Sequence, residues 1–223
     1  LFGRTLDAVE TPTPRGGQAA ALASLAGSAR RYLSRWHRRR PLWVGVASGG
    51  VVGGTTGVVE HGRLGWWRAP GGPVLAENLG LPVSVASHVD AMAGAELLLG
   101  MRRAPTPASS SLYVYARETV GFALVIGGRV HTPASGPGTI AGLPVSSELL
   151  GGSGRLESTV SDEAVLAAAR NRRIVPDSGP GASMQALLRV ARQGDQPAAV
   201  SARALLTERA HVLGGAVALL RDM

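Results

Sequence analysis

The chain contains no cysteine. Disulfides, thiolate zinc sites and cysteine nucleophiles are therefore excluded. Lysine is absent too, so all 23 basic residues are arginine. Aromatic residues make up only 4%, and no apolar run reaches the roughly 18 residues that a membrane-spanning helix needs. The opening residues, Leu1-Phe2-Gly3-Arg4-Thr5, lack an initiator methionine and the charged-then-apolar layout of a secretory signal. A cytoplasmic protein with no membrane partner is expected.

What remains is a chain of 223 residues, 45% hydrophobic and 17% charged. That is globular composition, enough for one large domain or two small ones. The net charge of +8 favours an acidic partner such as nucleic acid. An arginine-only chain rich in alanine and glycine also carries the mark of codon bias in its host. The densest cationic stretch is Arg30, Arg31, Arg35, Arg38, Arg39 and Arg40, ending at Pro41. It reads either as a phosphate-binding patch or as the solvated C-terminal face of a helix, where cations suit the dipole.

The pattern along the chain predicts a mixed α/β fold. Leu1 to about Thr11 reads as two short strands around a turn, broken by Pro12 and Pro14. A helix follows from about Gly17 to Arg39, with Leu22, Leu25, Ala29 and Leu33 near helical spacing. Residues 42–47 form a continuous apolar run, predicting a strand buried on both faces. A glycine-rich loop begins at Ser48-Gly49-Gly50, and Leu64-Gly65-Trp66-Trp67 reads as a second loop. Further elements are a short helix near 75–79, a strand at 81–85, a helix over 90–100 and a hairpin of 111–116 with 121–126. Another strand is expected at Arg129. Residues 132–155 read as irregular, and helices are predicted over 161–171, 183–192 and about 197–221.

Several segments in this order are similar to the ROK family of sugar kinases and repressors. They are Val44-Gly45-Val46-Ala47-Ser48-Gly49-Gly50-Val51-Val52, Gly57-Val58-Val59, Leu64-Gly65-Trp66 and Gly80-Leu81-Pro82-Val83-Ser84-Val85. They continue with Ala91-Met92-Ala93, Val120-Gly121, Gly127-Gly128-Arg129 and Gly154-Arg155-Leu156-Glu157-Ser158. The resemblance implies the two-lobe actin-like ATPase (ribonuclease H-like) α/β fold, incomplete at both ends of this chain. It places a smaller lobe at residues 1–86 and a larger one, with the C-terminal helices, at 87–223.

The departures from that resemblance bear on function. Family kinases carry an Asn-Asp pair whose Asp accepts the proton of the attacking sugar hydroxyl; the matching positions are Ser87 and His88. Active relatives place Gly-Thr-Gly ahead of the Val-Gly pair, so that backbone amides close around phosphate. Here Arg117, Glu118 and Thr119 stand there. The family's zinc ligands fall on positions that include Gly142, Glu148, Leu150 and Arg155, so no metal of that kind is expected. Of the polar sugar contacts only Glu157 remains, while Thr139 and Gly142 replace the others.

The resemblance therefore implies a domain without catalytic residues, metal or cofactor. Its leading reading is the effector-sensing and dimerisation domain of a ROK-like regulator. A sugar or sugar phosphate would bind between lobes, contacting Gly50, Ser87, His88, Thr139 and Glu157. The protein would form a homo-oligomer, dimer or tetramer, and reach DNA through an upstream winged helix-turn-helix outside this chain. Two alternatives stand beside it: a non-sensing dimerisation or partner-binding scaffold, and a sugar kinase with unusual residues.

Overall fold

The computed structural model describes residues 5–12, 14, 16–100, 110–132 and 139–221. The chain divides into two compact units, Leu1–Tyr113 with Ala123–Gly138, and Val114–Phe122 with Thr139–Met223. The boundary that the resemblance places at residues 86/87 falls within the first unit.

In the first unit, α1 (Gln18–Ser34) is an alanine-rich helix that buries Ala21, Leu22 and Ala26 on one face. It ends five residues earlier than the pattern predicts. Arg35 caps it, a 3-10 turn follows over His37–Arg39, and Arg40 turns left-handed at φ 46°. Strand β1 (Val44–Ser48) pairs in parallel with β5 (Val83–Ser87), in register from Val44 with Val83 to Ser48 with Ser87. Between them, β2 (Val51–Val52), β3 (Val59–His61) and β4 (Trp66–Ala69) form an antiparallel sheet, and α2 (Gly71–Leu79) returns the chain to β5. Val52, Val59 and Val85 are buried together, with Val46, Trp66 and Val83 packed against them.

Glycine is needed where the β2–β3 loop meets α2. Gly57 has φ +64°, and a Cβ on it would lie 3.0 Å from the Gly72 Cα. The Gly72 amide donates to the Gly57 carbonyl at 2.9 Å, so the loop sits directly on the helix backbone. Helix α3 (His88–Leu99) starts without a break from β5, because Ser87 caps it and accepts from the Asp90 amide at 3.1 Å.

Three expectations for this unit are corrected. Residues 5–12 contain no strand, and residues 1–4 lie outside the described residues. Side chains hold this segment to α1 instead: Arg35 pairs with Asp7 at 3.0 Å, and the Tyr32 hydroxyl donates to the Asp7 carbonyl. Strand β1 is not buried on both faces, for its residues alternate between half-buried and exposed, and Leu42 and Trp43 ahead of it are 82% and 62% exposed. Among the described residues its sheet partner is β5 alone. Of the segment expected to be a loop, Leu64 and Gly65 lie in and after a 3-10 turn, but Trp66 and Trp67 belong to a strand, since His61 of β3 pairs with Trp66.

Strands β6 (Ser110–Ala116), β7 (Val120–Ile126) and β8 (Arg129–His131) are neighbours in one sheet, as the hairpin pattern predicts. The division into units passes through β6 and β7.

The second unit holds β9 (Pro144–Ser147), β10 (Gly152–Arg155), α4 (Leu156–Val160), α5 (Asp162–Asn171), α6 (Met184–Ala191) and α7 (Pro197–Arg221). The last three match the predicted helices. Serine starts two of them: Ser161 accepts from the Ala164 amide and Ser183 from the Ala186 amide. The stretch expected to be irregular instead contains the β9–β10 hairpin, though residues 133–138 lie outside the described residues. Its strands are poor in β-formers. Burial of Leu150 in the connecting turn and the 3.2 Å contact between the Ser146 and Ser153 hydroxyls accompany the pairing.

Leu156, Val160, Val165, Leu187 and Leu205 are the largest fully buried side chains of this core. No helix among the described residues is long and apolar enough to cross a membrane. Truncating Leu156 to alanine leaves a void at the centre of the helical core and is expected to cost about 2–5 kcal/mol in urea unfolding. A loss below about 1 kcal/mol would contradict that central position.

Candidate functional site

The C-terminal edge of a parallel strand pair is where open α/β sheets receive ligands. Here β1 and β5 end side by side at Ser48 and Ser87. Gly50 follows in the β1–β2 turn, where its amide donates to the Ser48 hydroxyl at 3.3 Å. A Cβ on Gly50 would collide with the Glu60 carbonyl oxygen and come within 3.1 Å of the His61 Cα. Gly50 is thus the residue that lets the turn lie against β3. Ser87 is buried and serves as the α3 cap. His88 opens that helix, its Nδ1 3.3 Å from the Ser48 carbonyl oxygen.

Gly50, Ser87 and His88 therefore share one edge of the first unit. A second imidazole joins them. A Cβ on Gly49 would stand 3.5 Å from the His61 Nε2 and 3.9 Å from the His88 Nδ1. The His61 Nδ1 is buried without a hydrogen-bond partner among the described residues. Beside this edge lies a pocket of about 300 Å³, lined by Ser48, Gly49 and His61 and by apolar groups such as Leu22, Val59 and Trp66. None of the five residues singled out from the sequence lines it. His61 was missed, although a histidine between Glu60 and Gly62 in a glycine-rich hairpin was a visible signal.

Thr139 and Glu157 belong to the second unit. The structure brings them together on one residue, Val120. The Val120 amide donates to the Glu157 carboxylate at 2.9 Å, and the Thr139 hydroxyl donates to the Val120 carbonyl at 3.4 Å. The Thr139 hydroxyl also accepts from the Ala141 amide at 3.2 Å. Thr139 thus fastens the start of β7 to the segment that follows residue 138, and Glu157 fastens it to α4.

The turn 117–119 joins β6 to β7 and is closed on itself. The Arg117 amide donates to the Thr119 carbonyl at 3.1 Å, and the Asp162 amide donates to the Arg117 carbonyl at 2.8 Å. The Asp162 carboxylate lies 3.8 Å from the Arg117 guanidinium and accepts from Arg209 at 2.7 Å. The same Arg209 nitrogen reaches the Ala116 carbonyl at 2.9 Å. Arg117 also faces Glu118 at 3.7 Å, and Glu118 accepts the Tyr115 hydroxyl proton at 2.8 Å. A backbone cradle for phosphate needs amides that point outward and no carboxylate at its mouth. In this turn the Arg117 amide points inward and two carboxylates are built in.

Asp162 and Arg209 also escaped the sequence reading. The signal for Arg209 was its phase: buried Ala202, Leu205, Val212 and Ala216 lie on the inward face of α7, and position 209 falls on the same stripe.

Burial and the hydrogen bond to the Glu118 carboxylate push the Tyr115 hydroxyl up from 10.0 to about 12. The folded state therefore keeps this proton where the unfolded chain has lost it. The stability it brings is intact below pH 10 and is lost as pH rises from 10 towards about 12. Ultraviolet titration should find the Tyr115 phenol ionising at about 12, well above 10.0, and Glu118→Gln should bring it down. An unchanged titration in that variant would show that Glu118 does not hold the phenol.

Residues 3–222 match the model of the ROK family. Transcriptional regulators of Mycobacterium bovis and Mycobacterium tuberculosis are each 69% identical over 230 aligned residues, covering 100% of this chain and 52% of theirs. The chain thus spans about half the length of these relatives. Among solved structures, a ROK family transcriptional regulator described as a homologue of the Escherichia coli MLC protein superposes with a TM-score of 0.74. It is 22% identical, with 91% of this chain and 53% of that one covered. A ROK family glucokinase from Streptomyces griseus, in complex with glucose and AMPPNP, gives a TM-score of 0.76 at 20% identity, covering 99% and 73%. The fold is accordingly the two-lobe α/β fold of the actin-like ATPases. By its match along nearly the whole sequence, this chain belongs to the ROK family.

Proposed function

We propose that this chain is the effector-sensing and dimerising part of a ROK-type transcriptional regulator that has given up phosphoryl transfer. Operator reading, on this proposal, lies with a domain outside these residues. The observation that carries it is the closed turn at 117–119, whose Arg117 amide and guanidinium face internal partners and whose Glu118 and Asp162 would repel a phosphate. The position of the catalytic acid-base group supports it as well. A sugar hydroxyl is a weak acid, and the base that takes its proton must stand within hydrogen-bond reach. His88 instead turns its Nδ1 towards the Ser48 carbonyl, at the start of α3. The names of the mycobacterial relatives point the same way.

A sugar or sugar phosphate is the proposed effector, received at the edge formed by Gly50, Ser87 and His88. The ligand acts by binding one arrangement of the protein better than another, which changes how a dimer presents its DNA-binding parts. A tenfold change in operator affinity asks for only about 1.4 kcal/mol of such preference.

One observation favours a second reading, in which the domain is a scaffold that senses nothing. Ser87, Thr139 and Glu157 all engage backbone groups of the fold, which leaves fewer polar side chains to greet a hydroxylated ligand.

Thermal shift and a coupled ADP-release assay on the purified chain separate these readings. The regulator proposal expects a sugar or sugar phosphate to raise the melting temperature, as binding to the native state requires, with no response to ATP and no sugar-dependent ADP. ATP stabilisation together with ADP release would overturn it in favour of a kinase. Silence across the panel would select the scaffold.

A further inference from the structure

The surface at the end of α1 carries charge that the fold does not use. No acidic residue occurs between Glu10 and Glu60, while the same stretch contains Arg30, Arg31, Arg35, Arg38, Arg39 and Arg40. The first three have work to do. Arg30 donates to the Asn78 side chain at 2.9 Å, Arg31 to the Ser28 hydroxyl at 3.0 Å, and Arg35 pairs with Asp7 and covers the Tyr32 ring. Arg38, Arg39 and Arg40 are exposed, and among the described residues their guanidinium groups have no hydrogen-bond or ion-pair partner.

Helix-dipole stabilisation does not account for them. That effect falls off within the last turn of a helix. Helix α1 ends at Ser34, and its end already carries Arg31 and Arg35. The three arginines follow by four to six residues. Arg40 moreover sits at φ 46°, a left-handed backbone where glycine or asparagine is the inexpensive choice. The segment then runs into Leu42 and Trp43, 82% and 62% exposed. An apolar, aromatic flank beside unpaired arginines suits a polyanion that also offers sugar faces.

We infer that Arg38, Arg39 and Arg40, flanked by Trp43, form a contact surface for the phosphate backbone of double-stranded DNA. Guanidinium groups grip phosphate oxygens, the indole packs on deoxyribose, and no base edge is read. The contact is sequence-independent and adds affinity through counterion release. This deepens the regulator reading and rests on it for its purpose, but it is measured separately. A kinase would reveal itself in the ADP assay whatever this surface does.

The test is fluorescence anisotropy of the chain with a random-sequence duplex of about 24 base pairs, titrated between about 50 and 200 mM KCl. The wild type should bind with a steep salt dependence. In Arg38→Gln/Arg39→Gln/Arg40→Gln, the slope of log K against log salt should shrink by about 2–3, since each lost phosphate contact is worth roughly 0.9. The triple lysine variant should restore most of it, which separates charge from any effect on folding. Wild-type failure to bind, an unchanged slope in the glutamine variant, or a lysine variant no better than glutamine would each overturn the inference. So would binding to vesicles with about 30% phosphatidylserine that the glutamine variant loses while its DNA slope is unchanged, because the surface would then serve an anionic membrane.

Discussion

The Arg209–Asp162 ion pair is the tie on which the second unit depends. At 2.7 Å and with both side chains largely withdrawn from water, it is a charge-assisted bond in a setting where screening is weak. It joins three parts of the chain that are far apart in sequence. Arg209 belongs to α7 and Asp162 to the first turn of α5, and both residues take hold of the β6–β7 turn, the Arg209 side chain at the Ala116 carbonyl and the Asp162 backbone amide at the Arg117 carbonyl. Asp162 also suits its place at a helix start, where a carboxylate favours the dipole. A partly buried arginine without its carboxylate would be left with an uncompensated charge, so each partner makes the other necessary.

The chemistry of the turn follows from this tie. A loop that receives a nucleotide has to keep its amides unspent and its surroundings free of anions. This turn is held by an amide-to-carbonyl bond within itself, by one carboxylate from α5 and by another from Glu118. Val120 at the start of β7 is fastened in the same manner, by Glu157 at its amide and Thr139 at its carbonyl. Thr139 and Glu157, which the family resemblance assigns to a ligand, thus also bond the backbone. The same economy is visible in the first unit, where buried Ser87 caps α3. Rigidity and ligand binding compete for the same hydroxyls and carboxylates.

Much of this fold was legible in the sequence, and the failures have physical causes. Helix α7 was readable because Pro197 suits a first turn and the apolar stripe repeats along the helix. The starts of α5 and α6 were marked by Ser161 and Ser183, each followed by a helical run, whereas α3 begins at His88, two residues before the expected start, because Ser87 caps it. The β9–β10 hairpin was not legible, because Pro144-Val145-Ser146-Ser147 and Gly152-Ser153-Gly154-Arg155 carry almost no strand propensity. Their pairing is a matter of tertiary packing around Leu150. The apolar run at residues 42–47, which leads into and forms most of β1, misled in the opposite sense, since hydrophobicity alone does not say which face finds a cover.

The candidate site was legible only in part. Gly50, Ser87 and His88 do share one edge, because strand ends next to glycine turns are recognisable by composition. The roles of the polar groups were not, since a hydroxyl or carboxylate bonded to backbone looks the same in sequence as one that awaits a ligand. The Arg209–Asp162 tie likewise spans 47 residues and leaves no local pattern. A double-mutant cycle with Arg209→Met and Asp162→Asn, read by urea unfolding, tests the account at its centre. It predicts a coupling of about 1.5–3 kcal/mol between the two side chains. Additive losses, with a coupling near zero, would show that the pair does not hold the turn and would contradict the account.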